Sequence, residues 1–295
     1  MGKVALITGA SRGIGKAMCA HLALRGFSIG ITARSVKEGD TTPYPGTILE
    51  TASLVESVGG KALPIRCDVG VPDDIQSAID RTLEAFGRID VMINNARYEG
   101  PANWERIEEL DWEPISTAID CNLKAPLMFM HHLIPHMTNQ GGGLFINVTT
   151  GIEGHIANPN MPGHAATSLL YPSTKAGLNW ATILLAKEVR EHNIAVLGLQ
   201  PGATLVERVT ISEEAGMGFN LPRRHSVHMP CVVASHLSTI PNIMQHTGSI
   251  IEAREFAIEN GLMTEDEIAR PFKAGQLYDA YSERYWLDLV AASQT

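Results

Sequence analysis

The segment that decides the fold is TGASRGIG, residues 8–15, which overlaps the end of the apolar run KVALIT at residues 3–8. That run predicts a buried strand, and the stretch from Gly13 to Gly26 predicts the helix that follows it. Glycine suits a sharp turn, a close approach of phosphate to the backbone, and tight packing of helix on strand. Free N–H groups at a helix N-terminus bind phosphates. The segment therefore predicts a dinucleotide-binding turn, with a plain tight turn as the alternative.

The rest of the chain alternates short β-branched runs with longer amphipathic stretches. Continuously apolar strands are typical of a sheet covered on both faces. The alternation predicts βαβ units and a Rossmann-like, doubly wound α/β fold, with one domain over residues 1–295. The further predicted strands are Ser28 to Ala33, Lys61 to Asp68, Asp90 to Asn94, Gly143 to Thr149 and Ile194 to Gln200. The further predicted helices are Thr47 to Val58, Pro72 to Phe86, a long region through Asn122 towards His136, and Ser168 to Glu191.

Some stretches interrupt this repeat. Residues 37–46 (KEGDTTPYPG) form a polar insert after the second strand. Residues 151–167 and 203–229 lack clear periodicity, so we expect them to form substrate loops, the second as a mobile lobe or lid. A C-terminal extension covers about residues 263–295.

The overall charge excludes some partners. The 295 residues carry a formal net charge of −9, which argues against nucleic acid or an anionic membrane as the main partner. No signal-peptide pattern or apolar run long enough to span a bilayer is visible. These features predict a soluble, cytoplasmic protein.

Neither a disulfide framework nor a metal site is expected. The histidines at 131, 132 and 136 lack the Glu and the third ligand of a zinc protease. The cysteines are widely spaced and form no CxxC pair, so we expect reduced thiols. They are Cys19, Cys67, Cys121 and Cys231.

The spacing Gly-x-x-x-Gly-x-Gly differs from the usual dinucleotide fingerprint. It resembles that of the classical short-chain dehydrogenases/reductases, whose TGxxxGxG motif is matched by residues 8–15. The resemblance extends from about Lys3 to Leu262. It implies reversible hydride transfer between a nicotinamide cofactor and a carbonyl or secondary alcohol. In this turn it assigns cofactor binding to Gly9, Ser11, Arg12, Gly13, Ile14 and Gly15.

The residues after the second strand predict which cofactor is preferred. A carboxylate there would bind the ribose diol, but this chain has Ala33-Arg34-Ser35. Arg34 can pair with a 2′-phosphate in a bidentate manner, Ser35 can donate a hydrogen bond, and Arg12 can approach from the Gly turn. We therefore expect NADP(H) to be preferred over NAD(H). The alternative is that Arg34 is a solvated loop cation.

The resemblance extends the cofactor site to later strand ends. Val206 stands where the family often has Thr, so one cofactor hydrogen bond is expected to be missing. The family's adenine site corresponds to Asp68 and Val69, its adenosine ribose to Asn95 and Ala96, and its carboxamide site to Pro201, Gly202 and Thr204.

Arg97 is a departure from the family's NNAG motif, which has Gly at this position. A long cation there changes the local backbone freedom and brings charge near the nicotinamide end. We expect its side chain to face solvent; the alternative is that it recognises an anionic substrate.

The segment Tyr171-Pro172-Ser173-Thr174-Lys175 places a phenol and an amine on one face of a predicted helix. A free phenol has a pKa near 10, and a neighbouring ammonium favours its phenolate. Tyr171 can then act as general acid or base. The resemblance adds that Lys175 binds the nicotinamide ribose. A chance match of a core Tyr and a surface Lys is the alternative.

Two more catalytic residues follow from the resemblance. Asn122 matches the Asn that kinks the family's fourth helix and holds a proton-relay water, although it could be an ordinary helix residue. The usual carbonyl-polarising Ser is absent from Asn147-Val148-Thr149-Thr150. Thr150 occupies the position of that hydroxyl and is our choice, with Thr149 as the alternative.

These predictions describe an NADP(H)-dependent enzyme that interconverts a carbonyl and a secondary alcohol. The competing hypothesis is a low-turnover NADP(H)-binding sensor or scaffold of the same fold. By resemblance we also expect a homodimer or homotetramer, formed through the helices that contain Asn122 and Lys175.

Overall fold

A seven-stranded parallel sheet forms the centre of the computed structural model, in the order β3-β2-β1-β4-β5-β6-β7. The strand order reverses between β1 and β4, so the loops that follow these two strands diverge and leave a crevice. This crevice positions the site. The strands are β1 Val4–Thr8, β2 Ser28–Ala33, β3 Lys61–Arg66, β4 Val91–Asn94, β5 Gly143–Val148, β6 Ile194–Gln200 and β7 Ile250–Glu252.

The structure describes residues 2–41, 44–100, 107–109, 111–151, 169–204, 206 and 225–269. Most of the predicted substrate loops 151–167 and 203–229, and most of the C-terminal extension, lie outside these residues. The helices are α1 Gly13–Leu24, α2 Ile48–Ser57, α3 Pro72–Phe86, α4 Trp112–Ile119, α5 Ala125–Asn139, α6 Leu170–Glu188, α7 His228–Leu237, α8 Ala253–Glu259 and α9 Glu265–Ala269.

The helix ends follow local sequence signals. Pro72 opens α3, where the N–H that it lacks would have no helical partner, and Gly87 ends the helix in the left-handed conformation. The Thr47 side chain accepts from the backbone of Glu50, whose own side chain accepts from the backbone of Thr47. This capping box fixes the start of α2 directly after the polar insert.

The sheet is buried on both faces, which explains the continuously apolar strands. Every residue of β1 and β4 is buried, and so are most residues of β2, β5 and β6. One apolar cluster joins the sheet to α1, α2 and α7, and a second joins it to α3 and α5. The predicted doubly wound α/β fold is confirmed.

The long helical region around Asn122 is not one regular helix. A π-helical turn, Asp120–Lys124, separates α4 from α5 and contains Asn122, which is fully buried. Such turns bend a helix and redirect its side chains. The sequence-based expectation of a kink at Asn122 agrees with this turn.

Candidate active site

A cleft of about 320 Å³ lies at the carboxyl ends of the strands. It runs from the loops after β2 and β3, past the Gly turn, to α6 and the end of β6. Of the residues predicted for the site, those that line it are Gly9, Arg12, Gly13, Ile14, Arg34, Asp68, Val69, Asn95, Ala96, Tyr171, Lys175, Pro201, Gly202 and Thr204. Ser11, Gly15, Ser35, Asn122 and Thr150 lie behind this lining or beside it.

The conformation of the Gly turn requires glycine at three positions. Gly9 and Gly13 have φ values of +63° and +55°, a region that L-residues with side chains rarely adopt. A Cβ on Gly15 would lie 2.4 Å from the carbonyl oxygen of Gly9 and 2.6 Å from the Asn95 side-chain nitrogen. Gly15 therefore serves packing of helix against turn, while Gly9 and Gly13 shape the turn itself.

Thr8 and Asn95 connect this turn to the end of β4. The Thr8 hydroxyl oxygen accepts from the backbone N–H groups of Asn95 and Ala96, each at 3.0 Å. The Asn95 amide donates to the carbonyl oxygens of Thr8 at 2.9 Å and Gly9 at 3.1 Å. The Gly turn and the loop after β4 are thus held together by side chains as well as by the sheet.

The N-terminus of α1 fits a phosphate group. No acidic residue lies in its first turn, and its N-cap residue Arg12 makes no side-chain cap. The N–H groups of that turn meet a cleft lined by Gly13 and Ile14. Arg12 extends instead to the polar insert, donating to the carbonyl oxygens of Pro45 at 2.9 Å and Gly46 at 3.0 Å.

The cations predicted to select the cofactor lie at the β2–β3 end of the cleft. Arg34 is half exposed, and its Nη1 lies 3.8 Å from Oδ2 of Asp68. Ser35 is buried; its hydroxyl accepts from Arg12 at 3.1 Å and lies 2.5 Å from the hydroxyl of Thr41. Ser35 therefore supports Arg12, while Thr41 and Arg34 face the cleft.

Tyr171 and Lys175 lie one turn apart on α6, and both line the cleft. The Lys175 ammonium is buried and donates to the Val148 carbonyl oxygen at 2.7 Å. Burial, followed by the positive charge of Arg97, lowers the pKa of Lys175 to about 7. The predicted pair therefore shares one helix face, and its amine is perturbed as amines of functional sites often are.

Asn122 supports α6 from behind the cleft. Its amide donates to the Thr174 hydroxyl at 3.2 Å, and its carbonyl oxygen accepts from the backbone N–H of Tyr98 at 2.8 Å. Thr174 in turn donates to the carbonyl oxygen of Tyr171 at 2.9 Å. Asn122 thus links the loop after β4 to the turn of α6 that carries Tyr171 and Lys175.

The two candidate hydroxyls at the end of β5 differ in their surroundings. Thr149 lines the cleft, and its buried hydroxyl has no hydrogen-bond partner among the described residues. Thr150, the choice made from the sequence pattern, is also buried but is not among the lining residues. The geometry therefore favours Thr149 as the hydroxyl that meets a substrate, whereas the sequence pattern favours Thr150.

Arg97 does not face solvent as expected. Its side chain is only 24% exposed, and it lines the cleft beside Tyr171. The guanidinium carbon lies 5.3 Å from the centroid of the Tyr171 ring. Nε and Nη2 both donate to Oε1 of Glu99, at 3.1 and 2.8 Å. The expectation was wrong because the ring and the carboxylate give the cation partners inside the cleft.

The loop after β6 closes the far end. Gly202 has a φ of +68°, and a Cβ there would lie 2.8 Å from the His225 ring, so the turn needs glycine. The Thr204 hydroxyl donates to the Pro201 carbonyl oxygen at 2.8 Å. Val206 lines the cleft where a Thr was expected by resemblance, which keeps this wall apolar.

Sequence reasoning did not assign several cleft-lining residues to the site, among them Thr41, Tyr98 and Glu99. Thr41 lies in the polar insert, whose composition gave no sign that it folds back onto the Gly turn. Glu99 follows Arg97 by two residues, and this opposite charge was the available signal that the arginine has a partner.

Other chemistry receives no support from the described residues. Burial raises the pKa of Cys67 to about 12 and that of Cys121 to about 11, so these two cleft-lining thiols remain protonated. Within the described part of the chain, no three His, Cys, Asp or Glu side chains are grouped to hold a metal ion. No described helix is long and apolar enough to cross a membrane.

Comparison with known proteins agrees with this geometry. The family model for short chain dehydrogenases matches residues 3–215. An uncharacterized oxidoreductase of Thermotoga maritima is 34% identical over 70% of this chain and 73% of its own length. A 3-oxoacyl-[acyl-carrier-protein] reductase of Staphylococcus epidermidis is 30% identical over 68% of this chain and 75% of its own length.

Solved structures agree as well. The crystal structure of an acetoin dehydrogenase from Salmonella typhimurium superimposes with a TM-score of 0.69 at 27% identity, covering 86% of this chain and 94% of the other. The family model covers well over half of the chain, including the Gly turn and the Tyr171–Lys175 pair. The chain therefore belongs to the short-chain dehydrogenase/reductase family and is an oxidoreductase acting on carbonyl or CH–OH groups.

Proposed function

We propose that this enzyme interconverts a small carbonyl compound and its secondary alcohol with NADP(H), using Tyr171 as the general acid and base. The observation that carries the proposal is the position of Tyr171 and Lys175 on one turn of α6, facing a cleft whose other end holds a phosphate-binding turn. When bound, the nicotinamide supplies or accepts the hydride.

The chain's own residues handle the proton. In the reducing direction the Tyr171 hydroxyl gives its proton to the carbonyl oxygen, and the resulting phenolate is stabilised by the nearby cations. Lys175 is held by Val148 at the end of β5, so it stays beside the cleft. Thr149 or Thr150 donates a hydrogen bond that polarises the substrate oxygen, and Asn122 keeps α6 in register with the loop after β4.

The proposal assigns the cofactor's phosphates to the N-terminus of α1 and its 2′-phosphate to Arg34 and Arg12. Support comes from the absence of a carboxylate in the first turn of α1, and from two arginines and the Thr41 hydroxyl at this end of the cleft. The Asp68 carboxylate lies beside Arg34, so it partly offsets this positive charge. Two cations against one carboxylate still favour an added phosphate.

The experiment that tests the proposal is a panel of small ketones, aldehydes and secondary alcohols, assayed with NADP(H) and NAD(H). We expect turnover of at least one substrate pair, with a higher kcat/KM for NADP(H), and loss of that turnover in Tyr171→Phe. Binding of NADPH without turnover, unchanged in Tyr171→Phe, would contradict it and favour a sensor.

A further inference from the structure

Arg97 puts a partly buried cation beside the ring of Tyr171, at a position where the family motif has glycine. It follows Ala96 in the loop after β4, and the Asn95 and Thr8 hydrogen bonds fix the start of this loop. The end of the cleft that contains Tyr171 therefore has a cation where the family motif predicts a residue without a side chain.

The guanidinium has a defined orientation. A single oxygen of Glu99 accepts from both Nε and Nη2, which anchors that edge of the group. The guanidinium carbon lies 5.3 Å from the centroid of the Tyr171 ring, within the distance at which a cation is attracted to an aromatic face. Conversion of the phenol to a phenolate adds a full negative charge and strengthens this attraction.

Lys175 is the second cation that lines this end of the cleft. Burial and Arg97 lower the pKa of Lys175 to about 7, so a substantial fraction of its amine is uncharged at neutral pH. An arginine keeps its charge throughout the range in which enzymes work. Of the described charged residues that line the cleft, only Arg97, Glu99 and Lys175 lie at this end.

We propose that Arg97 is a positioning residue of the proton-transfer site: its guanidinium, oriented by Glu99, lies over Tyr171 and stabilises the phenolate together with Lys175. The proposal rests on the proposed role of Tyr171. It makes the loop after β4 an electrostatic component of catalysis in addition to a wall of the cofactor site.

The test compares Arg97→Gln and Arg97→Lys with the parent enzyme in two measurements. The first is an ultraviolet difference titration of the phenolate in the cofactor-free full chain, with the Tyr171→Phe protein subtracted. The second is the pH dependence of kcat/KM for alcohol oxidation, which requires the phenolate. The titration needs no turnover, so this proposal can fail or succeed independently of the proposed function.

We expect the phenol of Arg97→Gln to titrate about one pH unit higher than that of the parent, because the variant loses the cation beside the ring. The shift stays small because Glu99 offsets part of that charge in the parent, and because Lys175 is no longer repelled by Arg97 in the variant. The rising limb of the oxidation profile should move by the same amount, giving about a tenfold lower kcat/KM on that limb. Arg97→Lys should recover most of the shift. Arg66→Gln, which removes an exposed arginine paired with Asp74, should leave the titration unmoved.

Two results would overturn the proposal. One is an Arg97→Gln titration that superimposes on that of the parent. The other is a variant that raises KM for anionic substrates alone and leaves both pH midpoints in place, because Arg97 would then be a substrate-binding residue.

Discussion

His21 on α1 and His228 on α7 are joined in the protein interior by a hydrogen bond of 3.1 Å between Nε2 and Nδ1. Burial is the main cause that lowers the pKa of His21 to about 3, and it also lowers the pKa of His228 well below its usual value. Both imidazoles are therefore neutral in the folded protein at neutral pH. In the unfolded chain they bind protons near pH 6.5. Between that pH and the folded pKa the unfolded state binds more protons, so the free energy of unfolding falls as pH falls.

We expect His21 alone to remove about 2 kcal/mol from the free energy of unfolding between pH 7 and pH 5. Urea unfolding at the two pH values measures this change. His21→Gln should flatten the pH dependence, whereas His131→Gln, at an exposed position on α5, should leave it as in the parent. If the free energy of unfolding depended on pH equally in His21→Gln and in the parent, His21 would not be the source of that dependence.

Lys175 should reduce the stability of the cofactor-free enzyme. Its folded pKa of about 7 lies below the unfolded value of 10.5, so the unfolded state binds more protons between these values. The free energy of unfolding therefore rises with pH across that window, and at pH 7 and below the cost of the buried charge is fully present. Lys175→Met should abolish turnover. It should nevertheless raise the free energy of unfolding at pH 7 by about 1–2 kcal/mol, a figure that already subtracts the lost hydrogen bond to Val148.

Urea unfolding of the cofactor-free proteins checks this prediction. Lys187→Met provides the control, because Lys187 is an exposed lysine on the same helix. A Lys175→Met protein that unfolds at lower urea concentration than the parent would show that the ammonium stabilises the fold.

Arg34 should determine the preference for NADP(H). Arg34→Gln removes a charge-assisted contact with the 2′-phosphate, worth about 1.5–3 kcal/mol, so KM for NADPH should rise about 10- to 100-fold. KM for NADH should change little, because NADH lacks that phosphate. Steady-state kinetics with both cofactors measures the effect, with Arg66→Gln as the matched arginine control. Equal changes in KM for NADPH and NADH would show that Arg34 does not bind the 2′-phosphate.

Thr149 and Thr150 are separable by valine substitution, which keeps the β-branch and removes the hydroxyl. Thr149 lines the cleft with no hydrogen-bond partner among the described residues, so we expect Thr149→Val to lower kcat about tenfold or more. Thr150→Val should have the smaller effect. Comparison of kcat values for one substrate pair decides between them; a larger loss in Thr150→Val would support the choice made from the sequence pattern.

Exposed apolar side chains on α4 and α6 support the proposed homo-oligomer. Trp112, on α4 next to the π-helical turn, is 81% exposed. Trp180 and Leu184, on the same helix as Tyr171 and Lys175, are 66% and 51% exposed. We expect the parent to sediment as a dimer or tetramer and Trp180→Glu to shift it towards monomer. Leu49→Glu, at an exposed apolar position on α2, is the control. A monomeric parent would contradict the prediction.

The fold could be predicted largely because its signals are local. The bounds of β2, α3 and β6 agree with the sequence patterns, since apolar runs and helix-end residues fix them. β7 was missed because its three residues are too few to show a periodic pattern, and only pairing with β6 defines it as a strand.

The site was predictable where a motif specifies it. The Gly turn joins β1 directly to α1, and Tyr171 and Lys175 lie on a single helix. Short spacings along the chain therefore specify both features. Arg97 was placed wrongly because its orientation depends on Glu99 and on a ring that is 74 residues away in the chain. Such contacts arise only when β4 and α6 come together at the cleft.

The hydrogen bonds between Thr8 and Asn95 have a consequence for the energetics of cofactor binding. They order the Gly turn and the loop after β4 during folding, before the proposed cofactor binds. The conformational entropy of these backbones is then lost once, in folding, and is not subtracted from the affinity at each binding event. In the proposed cofactor site, both loops thus form a preorganised receptor whose geometry is set by the fold.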